Sequence, residues 1–179
     1  MEKKHIPEKT YDPRQVEEKW SSFWTKEGLF TPELPSAKKK FSMVLPPPNV
    51  TGILHIGHAL CFTLPDIIVR WRRMQGYNTL WLPGTDHASI AVHNVIEQSL
   101  AEKGLTRQQV GREEFLKIAW EWKKTYHGRI IHQLKKLGAS LDWTRERFTL
   151  DQGFSKAIKR VFVELYREGL IYRDYYLVN

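Results

Sequence analysis

Two short apolar runs, each stopped by proline, constrain the fold of this chain more than any other feature. The first, FSMVL at residues 41–45, ends at three consecutive prolines, and the second, YNTLWL at 77–82, ends at Pro83-Gly84. Between them, residues 55–76 carry apolar side chains at helical spacing. The order strand, loop, helix, strand predicts a βαβ unit and therefore a parallel sheet.

This unit is expected to contribute to the core. We predict that the strand at 41–45 is buried and that the helix buries its apolar positions. These positions are Leu60, Ile67, Ile68, Trp71 and Met74. Because an interior proline costs about 3 kcal/mol or forces a kink, Pro65 predicts a bend or a restart of the helix at Leu64.

The rest of the chain is predicted to be mainly helical. A first helix begins at Asp12-Pro13 and ends near Gly28, and an exposed connection follows it. Further helices are expected at about 88–103, 112–136 and 153–168, and a strand begins in the terminal LIYRDYYLVN.

Composition narrows the class of protein. Lys and Arg total 28 against 20 Asp and Glu, a net charge of +8 that favours an anionic partner, although basic proteins are often so for solubility alone. The single cysteine, Cys61, excludes an internal disulfide and fits a reducing compartment. No stretch approaches the roughly 20 apolar residues that span a bilayer, and the polar N-terminus has no signal core. We expect a cytoplasmic protein with no membrane partner.

The stretch PPPNVTGILHIGHAL places two histidines in the first turn of the central helix. His55 and His58 are three residues apart and share one helix face, where free backbone N–H groups and the helix dipole also attract anions. Gly57, like Gly52 in the loop, has no side chain, so a flat ring or a phosphate can approach the backbone there. The pattern indicates a phosphate site of a nucleotide.

Two other interpretations of the histidines stay open. Such pairs are often ordinary surface or core residues, or they ligate a metal. A zinc hydrolase would need a third ligand from Asp86, His87 or His93, but HExxH and similar metal spacings are absent from the sequence. No protein metal site is therefore expected.

A second stretch, WLPGTDHA, follows the next strand and should lie at the same carboxyl edge of the sheet, where open α/β sheets bind ligands. There Asp86 could hold an ammonium group close to the phosphate site. The simpler alternative is that Thr85 or Asp86 caps a helix starting near Ala88. The coincidence of both loops at one edge favours the site.

Six stretches together resemble one known family. They are PPPNVTGILHIGHAL, RMQGYNTLWLPGTDHASIA, YDPRQVEEKW, REEFLKIAWEWK, LKKLGASLDWTRERFTLD and GLIYRDYYLVN, and they cover nearly everything from Tyr11 to Asn179. In their order along the chain they are similar to the start of class I aminoacyl-tRNA synthetases of the valyl type.

The resemblance implies a fold class and a division into domains. The fold would be α/β, the N-terminal half of a Rossmann-like nucleotide-binding fold with a parallel sheet, preceded by an N-terminal helix. Residues 1–40 would form that helix and a linker, and residues 41–179 the first part of the catalytic domain, which stops before an editing insertion.

It also implies the chemistry. His55, Gly57 and His58 would bind ATP, with Mg²⁺ bound to the nucleotide, while the carboxylate of valine attacks the α-phosphorus. Catalysis of this kind rests on positioning and charge stabilisation rather than on a side-chain nucleophile. The full-length enzyme would be a monomer that transfers valine to tRNA(Val).

The amino-acid site follows from the same resemblance. Asp86 would receive the valine ammonium, Pro46 and Pro47 would line the pocket, and Asn49 would donate near the reacting phosphate or carboxylate. Because editing and the second half of the fold are missing from this chain, we expect it to be limited to partial ATP and valine binding. A small apolar pocket would separate valine from isosteric amino acids only weakly.

The chain departs from the family pattern at four positions. The family usually has Gly, Thr and Gln where this chain has Ser89, Val92 and His93, and a polar residue at Pro65. Two competing hypotheses remain. One is a different nucleotidyl transferase that shares only the His-Ile-Gly-His element. The other is a basic RNA-binding module that uses Arg70, Arg72, Arg73, Lys135 and Lys136.

Overall fold

The computed structural model describes residues 11–177. Along them run α1 (Pro13–Lys26), β1 (Lys40–Val44), α2 (Ile56–Met74), β2 (Asn78–Leu82), β3 (Gly84–Thr85), α3 (Ile90–Ala101), α4 (Arg107–Lys136), β4 (Arg147–Phe148) and α5 (Gln152–Arg167). A short 3₁₀ helix at Trp143–Arg145 precedes β4. Within this range, no helix combines the length and the apolar character that crossing a membrane requires.

Two compact units make up the chain. The first comprises the segments up to Leu45, Gly52–Pro83 and Thr125–Glu146. The second comprises Pro46–Thr51, Gly84–Lys124 and the chain from Arg147 onward.

The first unit contains the predicted βαβ arrangement. β1 and β2 pair in parallel, from Lys40 opposite Asn78 to Val44 opposite Leu82, and α2 connects them. The Leu45 N–H then donates to the Leu82 carbonyl at 2.9 Å. Leu45 and Trp81 are completely buried. The parallel sheet predicted from the two apolar runs is confirmed.

The first helix also lies where the sequence places it. Asp12 caps α1 by accepting from the Arg14 N–H at 3.0 Å, and Pro13 occupies the first turn, where its missing N–H costs nothing.

Of the strand predicted as buried at 41–45, only Leu45 is fully buried, and the burial predicted for α2 is wrong. Val44 is 65% exposed, and Lys40 and Ser42 on the same face of β1 are exposed as well, so this face of the strand is not covered. All five apolar positions of α2 that were expected in the core are exposed, from Ile68 at 42% to Met74 at 87%. The helix instead buries Phe62 and Val69.

Polar contacts determine which face of α2 packs inward. Arg70 donates to the Asp66 carboxylate at 2.8 Å and to the Gly138 carbonyl at 2.6 Å. Arg73 donates to the Ser140 carbonyl at 2.8 Å, and Asp66 accepts from the Ser140 N–H at 3.0 Å. The packed face is therefore partly ionic, a property that a hydrophobic pattern does not reveal.

α2 continues through Pro65 without interruption, so no restart occurs at Leu64. Pro65 removes one helical hydrogen bond, the one that the carbonyl of exposed Cys61 would accept, and water can replace a donor there. The neighbouring turns keep their helical conformation.

The second unit holds the short parallel pair β3–β4, with Gly84 opposite Arg147 and Thr85 opposite Phe148. α3 lies in this unit and buries Val92, Ile96 and Leu100. α4 is interrupted at Gly111, whose φ of 74° is not helical, so its regular part begins at residue 112 as predicted. The predicted helices after residue 88 are confirmed within a few residues.

The strand expected in LIYRDYYLVN is not found in its described part. Residues 172–177 have no regular secondary structure, and Tyr175 and Tyr176 are almost fully exposed. A strand needs a neighbour that accepts its backbone hydrogen bonds, and the described residues show no such pairing there. Residues 178 and 179 lie outside the described range.

Candidate functional site

The two histidines of the first unit hold each other at the start of α2. His55 is the N-cap, and its Nδ1 accepts from the Gly57 N–H at 3.1 Å. The Nδ1 of His58 accepts from the His55 N–H at 3.3 Å, which completes a reciprocal capping box. The ring centroids are 4.0 Å apart. Because both Nδ1 atoms accept, each neutral ring carries its proton on Nε2.

The charge state of His58 depends on its partial burial. Partial burial, and secondarily the positive charge that His55 can carry, lower the pKa of His58 below its ordinary value of 6.5. His58 is therefore neutral at pH 7 and still donates through Nε2–H. Two ring donors thus lie at a helix N-terminus, where the helix dipole favours anions.

Gly57 gives the His55 ring the space that it occupies. A Cβ at this position would lie 3.0 Å from Cε1 and 3.1 Å from Nδ1 of His55. The ring can approach the helix backbone because position 57 has no side chain.

We expect Gly57→Ala to reduce ATP affinity about fivefold without loss of stability. The new methyl group displaces the His55 ring and breaks one hydrogen bond of the order of 1 kcal/mol, while alanine is the better helix former. Isothermal titration calorimetry with ATP·Mg²⁺ measures the effect. Gly128→Ala in α4 is the matched control, because a Cβ at this helical glycine meets nothing within 4 Å. Equal affinity in the two variants would contradict this role of Gly57.

The second unit brings the proposed amino-acid residues Asn49 and Asp86 together. The Asp86 N–H donates to the Pro48 carbonyl at 2.9 Å, and the Asp86 carbonyl accepts from the Val50 N–H at 3.0 Å. Asn49 and Asp86 thereby form an isolated parallel bridge. Pro47 lies beside Gly84, where an added Cβ would be 4.0 Å from the Cβ of Pro47. Pro46, Pro47 and Asn49 are exposed.

The Asp86 carboxylate is held by groups from its own loop and from the residue after β4. Its Oδ1 accepts from the Ala88 N–H at 3.2 Å and from the Thr149 hydroxyl at 2.8 Å. Its side chain remains 35% exposed. Asp86 is not a helix cap, because the N-cap of α3 is Ser89, which makes no side-chain cap hydrogen bond.

The sequence pattern did not indicate Thr149. It is 63 residues from Asp86, in a segment that was interpreted only as a break between helices. The two-residue strand β4 carries it there: the Thr149 N–H donates to the Thr85 carbonyl at 3.1 Å. A strand this short leaves no alternation in the sequence that could have indicated the pairing.

Three of the four positions that depart from the family pattern, Ser89, Val92 and His93, follow Asp86 closely in the chain. Ala88 and Ser89 have φ angles of 49° and 36°, in the left-handed region that non-glycine residues occupy at a cost. Val92 is buried in the core of the second unit. His93 packs edge-on against Phe115, with ring centroids 5.2 Å apart.

Ser89→Gly is expected to raise the free energy of unfolding by about 1 kcal/mol, because glycine adopts a positive φ without strain. Urea unfolding followed by circular dichroism measures the change. Ser89→Ala is the matched control and should have little effect, since it keeps the Cβ and the serine hydroxyl makes no cap bond. A gain of the same size in the alanine variant would rule out backbone strain as the cause.

A small cavity of about 160 Å³ also lies in the second unit. It is mainly apolar and its lining includes Val50, His87, Val92 and Trp120. The residues proposed for amino-acid binding are outside this lining, so the cavity is not the pocket expected around Pro46 and Pro47.

Metal binding and RNA binding were the other possibilities. Among residues 11–177, no three His, Cys, Asp or Glu side chains group closely enough to hold a metal ion. The guanidinium groups of Arg70 and Arg73 are engaged with Asp66, Gly138 and Ser140 inside the first unit. Two of the five residues named for an RNA-binding module, Arg70 and Arg73, are therefore committed to the fold.

Comparison with known proteins identifies the family. The family model described as tRNA synthetases class I (I, L, M and V) matches residues 19–179. The chain belongs to the class I tRNA synthetases. Relatives of this synthetase chain include the valine–tRNA ligase of Gloeobacter violaceus, 59% identical over 169 residues, and that of Thermotoga maritima, 56% identical over 170 residues. Each alignment covers 94% of this chain and 19% of the relative.

A solved structure shows the same fold. The ternary complex of Agrobacterium radiobacter K84 LeuRS, tRNA and LeuAMS matches with a TM-score of 0.75 and 27% identity, over 92% of this chain and 19% of that one. The synthetase chain thus spans about a fifth of the length of the relatives that it matches. The family and the Rossmann-like α/β class predicted from the motifs are confirmed.

Proposed function

We propose that this synthetase chain carries the ATP- and valine-binding part of a valine–tRNA ligase. The observation that supports it most directly is the histidine pair, in which both Nδ1 atoms accept from backbone N–H groups, so that Nε2–H of each neutral ring is the group available to donate to a ligand. Relatives named as valine–tRNA ligases, 52–59% identical to this chain, support the choice of amino acid.

ATP would bind at the start of α2. His55 and His58 would donate to phosphate oxygens, and Gly57 would let the nucleotide approach the helix backbone. Mg²⁺ would arrive bound to the phosphates of ATP and share their negative charge. Fixed donors at a helix N-terminus stabilise charge as it develops, without having to reorganise during the reaction.

Valine would bind at the loops of the second unit. The Asp86 carboxylate, partly exposed and fixed by its neighbours, would receive the ammonium group. Pro46 and Pro47 would line the side-chain pocket, and Asn49 would donate near the reacting phosphate or carboxylate.

The reaction would proceed in two steps. A carboxylate oxygen of valine forms a bond to the α-phosphorus, the bond from that phosphorus to the β-bridging oxygen breaks, and pyrophosphate leaves with the bonding electrons. A hydroxyl of tRNA(Val) then attacks the carbonyl of the adenylate and releases AMP. Neither step requires a side-chain nucleophile, so the protein contributes position and charge.

The same proposal includes the tRNA partner, the cytoplasmic location and the oligomeric state. The names of the relatives and the tRNA in the LeuRS complex support tRNA as the acceptor. A free, exposed cysteine is compatible with the reducing cytoplasm. We take the working state to be a monomer.

Calorimetric titration of the 179-residue chain with ATP·Mg²⁺, and separately with valine, isoleucine and leucine, tests the proposal. We expect saturable binding of ATP, and tighter binding of valine than of the larger amino acids. A folded chain that binds ATP but prefers another amino acid would indicate a different synthetase. A folded chain that binds neither ATP nor valine would contradict the proposal.

A further inference from the structure

We propose that Thr149 is a positioning residue for amino-acid recognition. Its hydroxyl holds the Asp86 carboxylate in the orientation that receives the ammonium group, and it selects one tautomer of His87. This inference rests on the proposed amino-acid site at Asp86.

The Thr149 hydroxyl has one proton to donate and two lone pairs to accept with, and these numbers determine which neighbouring atoms carry a proton. Thr149 Oγ1 lies 2.8 Å from Asp86 Oδ1, 2.9 Å from the His87 backbone nitrogen and 2.6 Å from His87 Nδ1. An ionised carboxylate only accepts and a backbone N–H only donates, so the single hydroxyl proton goes to Asp86. The hydroxyl then has one lone pair for the backbone N–H and one for the ring. His87 Nδ1 must therefore carry the proton.

The same contacts orient the carboxylate. Oδ1 accepts from the Thr149 hydroxyl and from the Ala88 N–H, and the protonated His87 Nδ1 lies 3.3 Å from it. The two donors on Oδ1, from Thr149 and Ala88, restrict rotation of the carboxylate and leave Oδ2 for a ligand. An oriented carboxylate binds an ammonium group more tightly than a mobile one, because less conformational entropy is lost on binding.

Thr149 is itself held firmly. It directly follows β4, which pairs with β3, and its N–H donates to the carbonyl of completely buried Thr85. The hydroxyl is thus attached to the same short sheet that carries Asp86. Because Thr149 and Asp86 directly follow two paired strands, their contact is a fixed part of the fold and not a chance approach of two surface loops.

The first test compares Thr149→Val with Thr149→Ser in calorimetric titrations. Valine has the shape of threonine without the hydroxyl, whereas serine keeps the hydroxyl. We expect the valine variant to bind the amino acid valine roughly tenfold less tightly and the serine variant to stay within about twofold of the wild type. ATP affinity should be unchanged in both, because its proposed ligands His55 and His58 belong to the first unit.

The second test reads the tautomer of His87 by NMR of the ring nitrogens in histidine-labelled protein, with His87→Gln to assign its signals. The wild type and the serine variant should show protonated Nδ1, and Thr149→Val should lose that preference. This measurement needs no ligand. If Thr149 had only a structural role, the His87 tautomer would not change in the valine variant and be retained in the serine variant.

The outcomes separate the two levels of the proposal. Unchanged affinity for the amino acid in the folded Thr149→Val variant, or a proton on Nε2 of His87 in the wild type, would overturn the role of Thr149 alone. A wild-type chain with protonated Nδ1 that does not bind the amino acid would overturn the proposed site at Asp86, and the positioning role with it.

Discussion

Replacing both His55 and His58 by alanine is expected to weaken ATP binding roughly 100-fold in a chain that remains folded. In the proposed site each ring would donate one hydrogen bond to a charged phosphate. At about 1.5 kcal/mol for each bond, the loss of both amounts to about 3 kcal/mol, which corresponds to roughly 100-fold in affinity. Calorimetric titration with ATP·Mg²⁺ measures the loss, and circular dichroism reports the fold.

Two further variants separate phosphate binding from helix capping. Asparagine at both positions offers a side-chain oxygen in place of Nδ1 but has no group that reaches as far as Nε2, so it should preserve the cap and still lose ATP affinity. His132→Ala, on the exposed face of α4, changes a histidine outside the capping box and should leave ATP affinity unchanged. Wild-type affinity in the folded double alanine variant would refute the assignment of these histidines to phosphate.

Asp86→Asn is expected to weaken valine binding about 100-fold, with ATP affinity unchanged. The amide keeps an acceptor for the Thr149 hydroxyl and the Ala88 N–H, so the loop retains its structure. It loses the negative charge that makes a hydrogen bond with an ammonium group strong. Direct titration calorimetry with valine resolves a change of this size.

Asp174→Asn is the matched control for this experiment. It removes the same charge from an exposed carboxylate near the described end of the chain, which accepts only from the N–H of its neighbour Tyr175 among the hydrogen bonds found there. Its affinity for valine should equal that of the wild type. If both aspartate variants bound valine equally well, the ammonium site would have to lie elsewhere.

The order of elements could be predicted from the sequence because local rules determine it. Prolines end the two apolar runs near Val44 and Leu82, Asp12-Pro13 starts α1, and glycines follow the ends of helices. Each signal acts within a few residues of the boundary that it sets, through restricted φ angles and missing N–H donors.

Side-chain burial on α2 could not be predicted in the same way. A hydrophobic pattern selects the most apolar face of a helix, but the packed face here includes Asp66, Arg70 and Arg73. Their hydrogen bonds to Gly138 and Ser140 join segments about 70 residues apart. No periodicity within the helix carries information about those partners.

In the candidate site, too, the local features could be predicted from the sequence and the long-range contacts could not. The family and the βαβ order could be predicted from the sequence and are confirmed, because each follows from contiguous motifs. The roles of His55, His58 and Asp86 are proposed from motifs of the same kind. Only the tertiary structure decided that both histidine Nδ1 atoms are occupied by backbone donors, and that Thr149 reaches Asp86 across 63 residues. The physical reason is that donor direction and long-range pairing depend on how the backbone folds, whereas residue type and local spacing are written in the chain.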